Sequence, residues 1–189
     1  MKKYCIAILL CITTLISCSK NEEKWIAFIG DSEIARWDLQ TYFPTRLTEN
    51  MGASGSGLLY IKSQAGNMQG KDAVVLFGTN DLAWAYAGNI DEYVSQYISA
   101  VKGLAAQRTF IISIFPRCFK GDSENLNRKI ESLNEKIKLS ATTQDLIYVD
   151  VFPLMLKDGT LNMQYSYDGL HLNDLGYELV SYELNKYLE

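Results

Sequence analysis

The chain has 189 residues, 48% hydrophobic and 21% charged, which is the composition of a folded globular protein rather than a disordered, collagen-like or multi-span membrane one. Eighteen basic against 22 acidic residues give a net charge of -4, and no Lys/Arg run is long enough to track a phosphate backbone, so no nucleic-acid partner is expected. The single histidine, His171, rules out a multi-histidine metal site, and any mechanism that needs an imidazole has to use it.

Lys2 and Lys3 precede a mostly apolar run over residues 5–17. That is the length of a signal-peptide core and short of the ~20 residues that span a bilayer, so the run is expected to be cleaved. Leu15-Ile16-Ser17-Cys18 resembles a bacterial lipobox, which makes residues 1–17 a lipoprotein signal peptide, Cys18 the acylated N-terminus and residues 18–24 a tether. A plain secretory signal with an incidental cysteine is the other reading. The acidic stretch 19–23 resembles tether signals of surface lipoproteins from Bacteroidetes-type bacteria. The expected partner is thus a membrane, reached through Cys18, and the expected location is the cell envelope. Loss of Lys2 and Lys3 takes the net charge from -4 to -6, and loss of Cys5 and Cys11 leaves Cys118 with no disulfide partner.

From Trp25 onward, short apolar runs alternate with segments of helical period, the pattern of βα units around a mostly parallel sheet. Strands are predicted over residues 25–29, 73–77, 110–115 and 146–151, with a weaker one over 48–51. Helical stripes run through Val94, Tyr97, Ile98, Val101 and Leu104, through Leu126, Ile130, Leu133 and Ile137, and through Leu175, Leu179, Val180, Leu184 and Leu188. One domain over residues 25–189 is expected, with its site at the carboxyl ends of the strands.

Three loops carry chemistry. The first strand runs into Gly30-Asp31-Ser32-Glu33, a turn that presents a serine hydroxyl and a backbone N–H at the sheet edge. An N-cap is the plainer alternative, and the second copy, Gly121-Asp122-Ser123-Glu124, is read that way, with Asp122 or Ser123 capping the next helix. The strand over 73–77 ends in Gly78-Thr79-Asn80-Asp81, where the uncharged Asn80 amide is suited to a developing oxyanion, unless it merely closes an Asx turn. The glycines between Gly52 and Gly57 match neither a P-loop nor a dinucleotide fingerprint, which disfavours phosphate binding. Near the C-terminus, Asp168-Gly169-Leu170-His171 sets a carboxylate three residues before the imidazole, close enough to fix its tautomer.

In this order and at these loop positions the blocks resemble the SGNH/GDSL hydrolase family, over essentially the whole domain. The resemblance implies a three-layer α/β/α sandwich with a mostly parallel, flavodoxin-like central sheet. It implies Ser32 as nucleophile, Asp168 and His171 as acid and base, and an oxyanion hole from Ser32, Gly55 of Ser54-Gly55, and Asn80. Asp31 and Asp81 take supporting or substrate-contacting places. No metal or organic cofactor is implied. Two positions depart from the family pattern: Glu33 stands where the family name has leucine, placing a negative charge near the nucleophile, and Gly57 replaces a frequent threonine.

The expected function is a serine esterase working through an acyl-enzyme. Short acyl esters of carbohydrates, acetyl above all, are the expected substrates, since Trp37, Trp84, Tyr86, Tyr165 and Tyr167 lie near the motif loops and suit sugar faces. Lysophospholipase or thioesterase activity is the enzymatic alternative. A glycan-binding surface lipoprotein without turnover is the non-enzymatic one, and the intact catalytic set argues against it. Arg117 is read as the partner of a nearby carboxylate rather than of an acidic substrate.

Overall fold

A computed structural model describes residues 24–188. The signal peptide of residues 1–17, Cys18 and nearly all of the tether over 18–24 lie outside these residues, as does Glu189. Among the described residues no helix is long and apolar enough to cross a membrane.

Five strands form the central sheet: β1 (Trp25–Gly30), β2 (Leu47–Gly52), β3 (Asp72–Leu76), β4 (Thr109–Ile112) and β5 (Ile147–Val149). Their order is β2-β1-β3-β4-β5 and every pairing is parallel, the flavodoxin-like order whose switch point lies between β1 and β3. The weakly patterned segment at 48–51 is a true strand, β2. It lies on the sheet's edge and only partly buried, so it lacks the continuous apolar run that marks β1, β3 and β4. A two-stranded hairpin, β6 (Leu156–Lys157) with β7 (Thr160–Leu161), has no counterpart in the sequence pattern; two-residue strands carry no legible period.

Among the described residues seven α-helices accompany the strands: α1 (Ser32–Arg36), α2 (Leu39–Tyr42), α3 (Leu58–Ser63), α4 (Leu82–Ala87), α5 (Ile90–Gly103), α6 (Leu126–Thr142) and, after the last strand, α7 (Asp174–Asn185). Alternation along the strands sorts the core into two layers. Ala27, Ile29, Val75 and Ile111 face Leu58, Tyr97, Val101, Ile130 and Leu133 of α3, α5 and α6. Ile26, Phe28, Val74 and Ile112 face Ile34, Tyr177, Val180 and Leu184 of α1 and α7. This is the three-layer sandwich that the sequence implied.

Two asparagines on α6 hold the chain beyond β4, where no strand partner remains. Asn134 accepts from Ile114 N at 2.9 Å and donates to Ile114 O at 2.8 Å. One heptad earlier, Asn127 treats Arg117 N and O in the same way, both at 2.7 Å. Each side-chain amide supplies the donor and acceptor that a neighbouring strand would have supplied. The helix cap differs from expectation: the N-cap of α6 is Asn125, while Asp122 accepts from Arg117 Nη2 at 2.7 Å and Phe119 N at 2.9 Å. Arg117 beside it draws the carboxylate away from the helix end, and Arg117 is thereby paired as the sequence suggested.

Candidate active site

Ser32 opens α1 directly after β1. Asp31 caps it, accepting from Glu33 N at 3.0 Å, and this leaves Ser32 half-buried at the edge of the sheet. Burial pushes the Asp31 carboxyl up to about 7, against the lowering effect of that backbone hydrogen bond and with the charge of Asp81 adding to the rise.

The glycine loop after β2 folds over the same edge. Ala53 N and Ser56 Oγ both donate to Gly30 O at 2.9 Å, and Gly55 turns with φ of +76°, a conformation that favours glycine. Asn80 stands in a short 3₁₀ turn, Thr79–Asp81, after β3, and its Nδ2 donates to Ser56 O at 2.9 Å. That bond uses one of two amide protons and leaves the other for a ligand. No backbone N–H among the described residues donates to Asn80 Oδ1, so Asn80 closes no Asx turn. Asp81 locks the two loops from below: its Oδ2 accepts from Leu58 N at 2.9 Å, capping α3, and from the Tyr93 hydroxyl at 3.0 Å. A Cβ at Gly57 would lie 2.2 Å from Asp81 Oδ1, so the carboxylate occupies the space that a threonine would need.

The His171 turn is built on Ser166. Its hydroxyl donates to His171 O at 2.7 Å and accepts from Gly169 N at 2.9 Å, closing the loop on itself. Asp168 Oδ1 accepts from Leu170 N at 2.9 Å and His171 N at 2.7 Å, while Oδ2 meets His171 Nδ1 at 2.8 Å. Partial desolvation raises the Asp168 carboxyl, but the His171 ring and the two backbone N–H groups outweigh it and bring it down to about 2. An ionised carboxylate only accepts, so Nδ1 carries the proton and Nε2 is the free nitrogen. Gly169 seats the turn on the loop after β4. Cys118 N donates to Gly169 O at 2.8 Å, and a Cβ at Gly169, where φ is +83°, would lie 2.3 Å from Cys118 O. Cys118 itself is a free, exposed thiol.

No hydrogen bond joins Ser32 Oγ to His171 among the described residues; their next neighbours in the chain make the connection. Leu172 N donates to Glu33 Oε2 at 3.3 Å, and the Tyr177 hydroxyl lies 2.8 Å from Glu33 O and 3.1 Å from Glu33 Oε2. Catalytic hydrogen bonds are often longer without substrate and tighten in the complex. Glu33 does not place the expected negative charge beside Ser32. Burial, with the charge of Asp31 adding to it, pushes its carboxyl up to about 8, so that it is mostly neutral at pH 7.

Beside Asn80 an open hollow of about 690 Å³ is lined by Ala83, Tyr86, Ala87, Leu126 and Lys129. A much smaller cavity of about 10 Å³ lies between Asp31, Glu33, Phe77, Ile114 and Leu170, room for about one water. Among the described residues no group of three or more His, Cys, Asp or Glu side chains is placed to hold a metal ion.

The sequence pattern of the GDSL-like Lipase/Acylhydrolase family matches residues 28–179, a span that contains every loop just described. The chain belongs to this family. The acylhydrolase is 27% identical over 192 residues to the human platelet-activating factor acetylhydrolase IB subunit alpha1, covering 92% of this chain and 79% of that protein. It is 30% identical over 171 residues to an N-acylneuraminate cytidylyltransferase of Escherichia coli, covering 84% of this chain but only 39% of that much longer protein. A crystal structure of a GDSL-like lipase from Bacteroides thetaiotaomicron superposes with a TM-score of 0.73 at 24% identity, over 88% of each chain, a likeness of fold. The acylhydrolase is therefore an ester hydrolase of the GDSL type.

Of the aromatic residues expected at the site, Trp37 is instead in the core, donating from Nε1 to Ser181 Oγ at 3.2 Å. Tyr165 packs on the same core layer, whereas Trp84 and Tyr167 are exposed and Tyr86 lines the hollow beside Asn80. Sequence reasoning missed Ser166, Tyr177 and Tyr93. A serine five residues before His171 was the one legible signal among them, since a hydroxyl at that spacing can close a turn on itself.

Proposed function

We propose that this acylhydrolase is a serine esterase that removes short acyl groups, acetyl foremost, from carbohydrates through an acyl-enzyme. The observation that carries the reading is the Asp168 Oδ2 to His171 Nδ1 contact at 2.8 Å, on a turn tied to the Ser32 turn through Glu33. Asp168 keeps Nε2 free to take the Ser32 proton as Oγ attacks the ester carbonyl. The carbonyl oxygen becomes an oxyanion that accepts from Ser32 N, Gly55 N and the second Asn80 amide proton. His171 then protonates the leaving alcohol, and water activated by the same imidazole hydrolyses the acyl-serine. Asp31 and Asp81 act in support, the first by capping α1 and the second by fixing the glycine loop against Asn80.

The small acyl group is supported by the human relative, whose name gives acetyl removal. A sugar as the alcohol part is supported by the wide hollow beside Asn80, with the Tyr86 ring and Lys129 in its wall. We further propose that Cys18 anchors the domain to a membrane of the cell envelope; Cys18→Ser is expected to move the protein from the membrane fraction to the soluble one.

The deciding experiment is intact mass after treatment with a fluorophosphonate probe, with Ser32→Ala alongside, followed by a series of p-nitrophenyl esters and an acetylated xylo-oligosaccharide. One adduct that vanishes in Ser32→Ala, with acetate the fastest ester and acetate released from the oligosaccharide, supports the proposal. No adduct on the folded protein overturns the mechanism and makes glycan binding without turnover the better reading. Preference for long-chain esters turns the assignment to lysophospholipase or thioesterase chemistry.

A further inference from the structure

We propose that Glu33 is held as a neutral carboxylic acid whose proton closes a hydrogen-bond chain between the Ser32 turn and the His171 turn, making it a positioning residue for the base. The inference rests on the assignment of Ser32 and His171 as nucleophile and base.

Proton counting carries it. The Tyr177 oxygen lies within hydrogen-bond distance of two Glu33 oxygens, the backbone carbonyl at 2.8 Å and Oε2 at 3.1 Å. A phenol has one proton and two acceptor lone pairs, so it can donate to only one of them. Were the carboxyl ionised, the other contact would set two lone pairs against each other. With the proton on Oε2, each of the three contacts joins a donor to an acceptor: Tyr177 donates to Glu33 O, Glu33 Oε2 donates to Tyr177, and Oε2 accepts from Leu172 N at 3.3 Å. Glu33 Oε1 is buried with no partner, which makes a full negative charge there expensive.

Position gives the chain its consequence. Glu33 follows Ser32 and Leu172 follows His171, so the bond between them sets the distance between the two turns. Leucine cannot make this bond. The groups facing Glu33 are Asp31 from the β1 turn, Arg36 from its own helix, Tyr177 from α7 and, across the small cavity, Arg117 from the loop after β4. Burial and the charge of Asp31 raise the carboxyl to about 8, so the proton that completes the chain is lost in the mildly alkaline range.

The test compares the parent protein with Glu33→Gln and Glu33→Leu. Thermal unfolding is recorded for each, then kcat and KM on p-nitrophenyl acetate and the rate of fluorophosphonate labelling of Ser32, from about pH 6 to 10. In the parent, kcat and labelling rate should fall about tenfold through a midpoint near pH 8 with KM little changed. Glu33→Gln cannot ionise, so this alkaline fall should vanish; with its amide oxygen at the Oε2 place it keeps the bond from Leu172 N and loses only the donation to Tyr177, so neutral turnover should stay closer to the parent's than that of Glu33→Leu. Glu33→Leu should lower kcat about tenfold or more across the range with KM held within about twofold; if it does not fold, the glutamine variant decides alone. An alkaline fall that persists in Glu33→Gln, as it would if Asp31 were its source, overturns the proposal, as does a folded Glu33→Leu with the parent's kcat. Labelling of Ser32 without the alkaline fall sinks only the role of Glu33, whereas no labelling of the parent at any pH sinks the nucleophile with it.

Discussion

Asn80 Nδ2 donates to the carbonyl of Ser56 at 2.9 Å, joining the loop after β3 to the glycine loop after β2. One amide thus holds the residue after Gly55 while its second proton stays free, so the two proposed oxyanion donors should be coupled rather than independent. Asn80→Ala should lower kcat by roughly 10²–10³, the usual cost of one oxyanion donor. It should also cost about 1 kcal/mol of stability for the lost bond. Steady-state rates and urea unfolding on the same preparation check both, and a rate within a few-fold of the parent would remove Asn80 from the site.

Asp168 is ionised well below neutral pH, and the His171 tautomer depends on it. Asp168→Asn should keep the fold while reducing kcat by about 10³–10⁴, because the amide favours the wrong ring proton. The pH dependence has a definite sign. The folded carboxyl lies at about 2, below its ordinary 3.8, so its contribution to stability is present above pH 4 and is lost as pH falls toward 2. Asp168→Asn should flatten that stretch of an acid-unfolding curve.

Asp31 and Glu33 act in the opposite direction. Their folded carboxyls lie at about 7 and about 8, above their ordinary 3.8 and 4.5, so between pH 4 and 8 the folded state binds more protons than the unfolded one. Stability should therefore fall as pH rises through that window and level off above it. Unfolding free energies at pH 5 and pH 8 measure the fall, and Glu33→Gln should diminish it.

Gly169 has the most demanding backbone position in the His171 turn. Gly169→Ala forces a methyl to within 2.3 Å of Cys118 O at a φ of +83°, so it should destabilise by about 1–3 kcal/mol. The turn should shift off the loop after β4, and activity should fall more than that stability loss accounts for. Activity at a temperature where the variant is fully folded separates the two effects.

The loops that matter were legible from Trp25 onward because period and position speak locally. Apolar runs marked β1, β3 and β4, and the residues at their carboxyl ends named Ser32, Asn80 and, farther on, Asp168 and His171. Neither the second aspartate turn at Asp122 nor the capping of α6 was legible in the same way. An aspartate before a helix reads as a cap until a guanidinium from five residues upstream takes it.

The sequence alone determined which residue types stand at the strand ends, and with them the family and the chemistry, since a strand-to-loop junction is a matter of neighbours in the chain. Only the tertiary structure decided what those residues touch. Glu33 meets Tyr177 across 144 positions, Asp81 meets Leu58 across 23, and Trp37 meets Ser181 across 144. Such contacts set burial, proton sharing and charge state, and these depend on distances in space that no local period encodes. A glutamate that reads as a charge in the sequence is therefore a neutral hydrogen-bond donor in the fold.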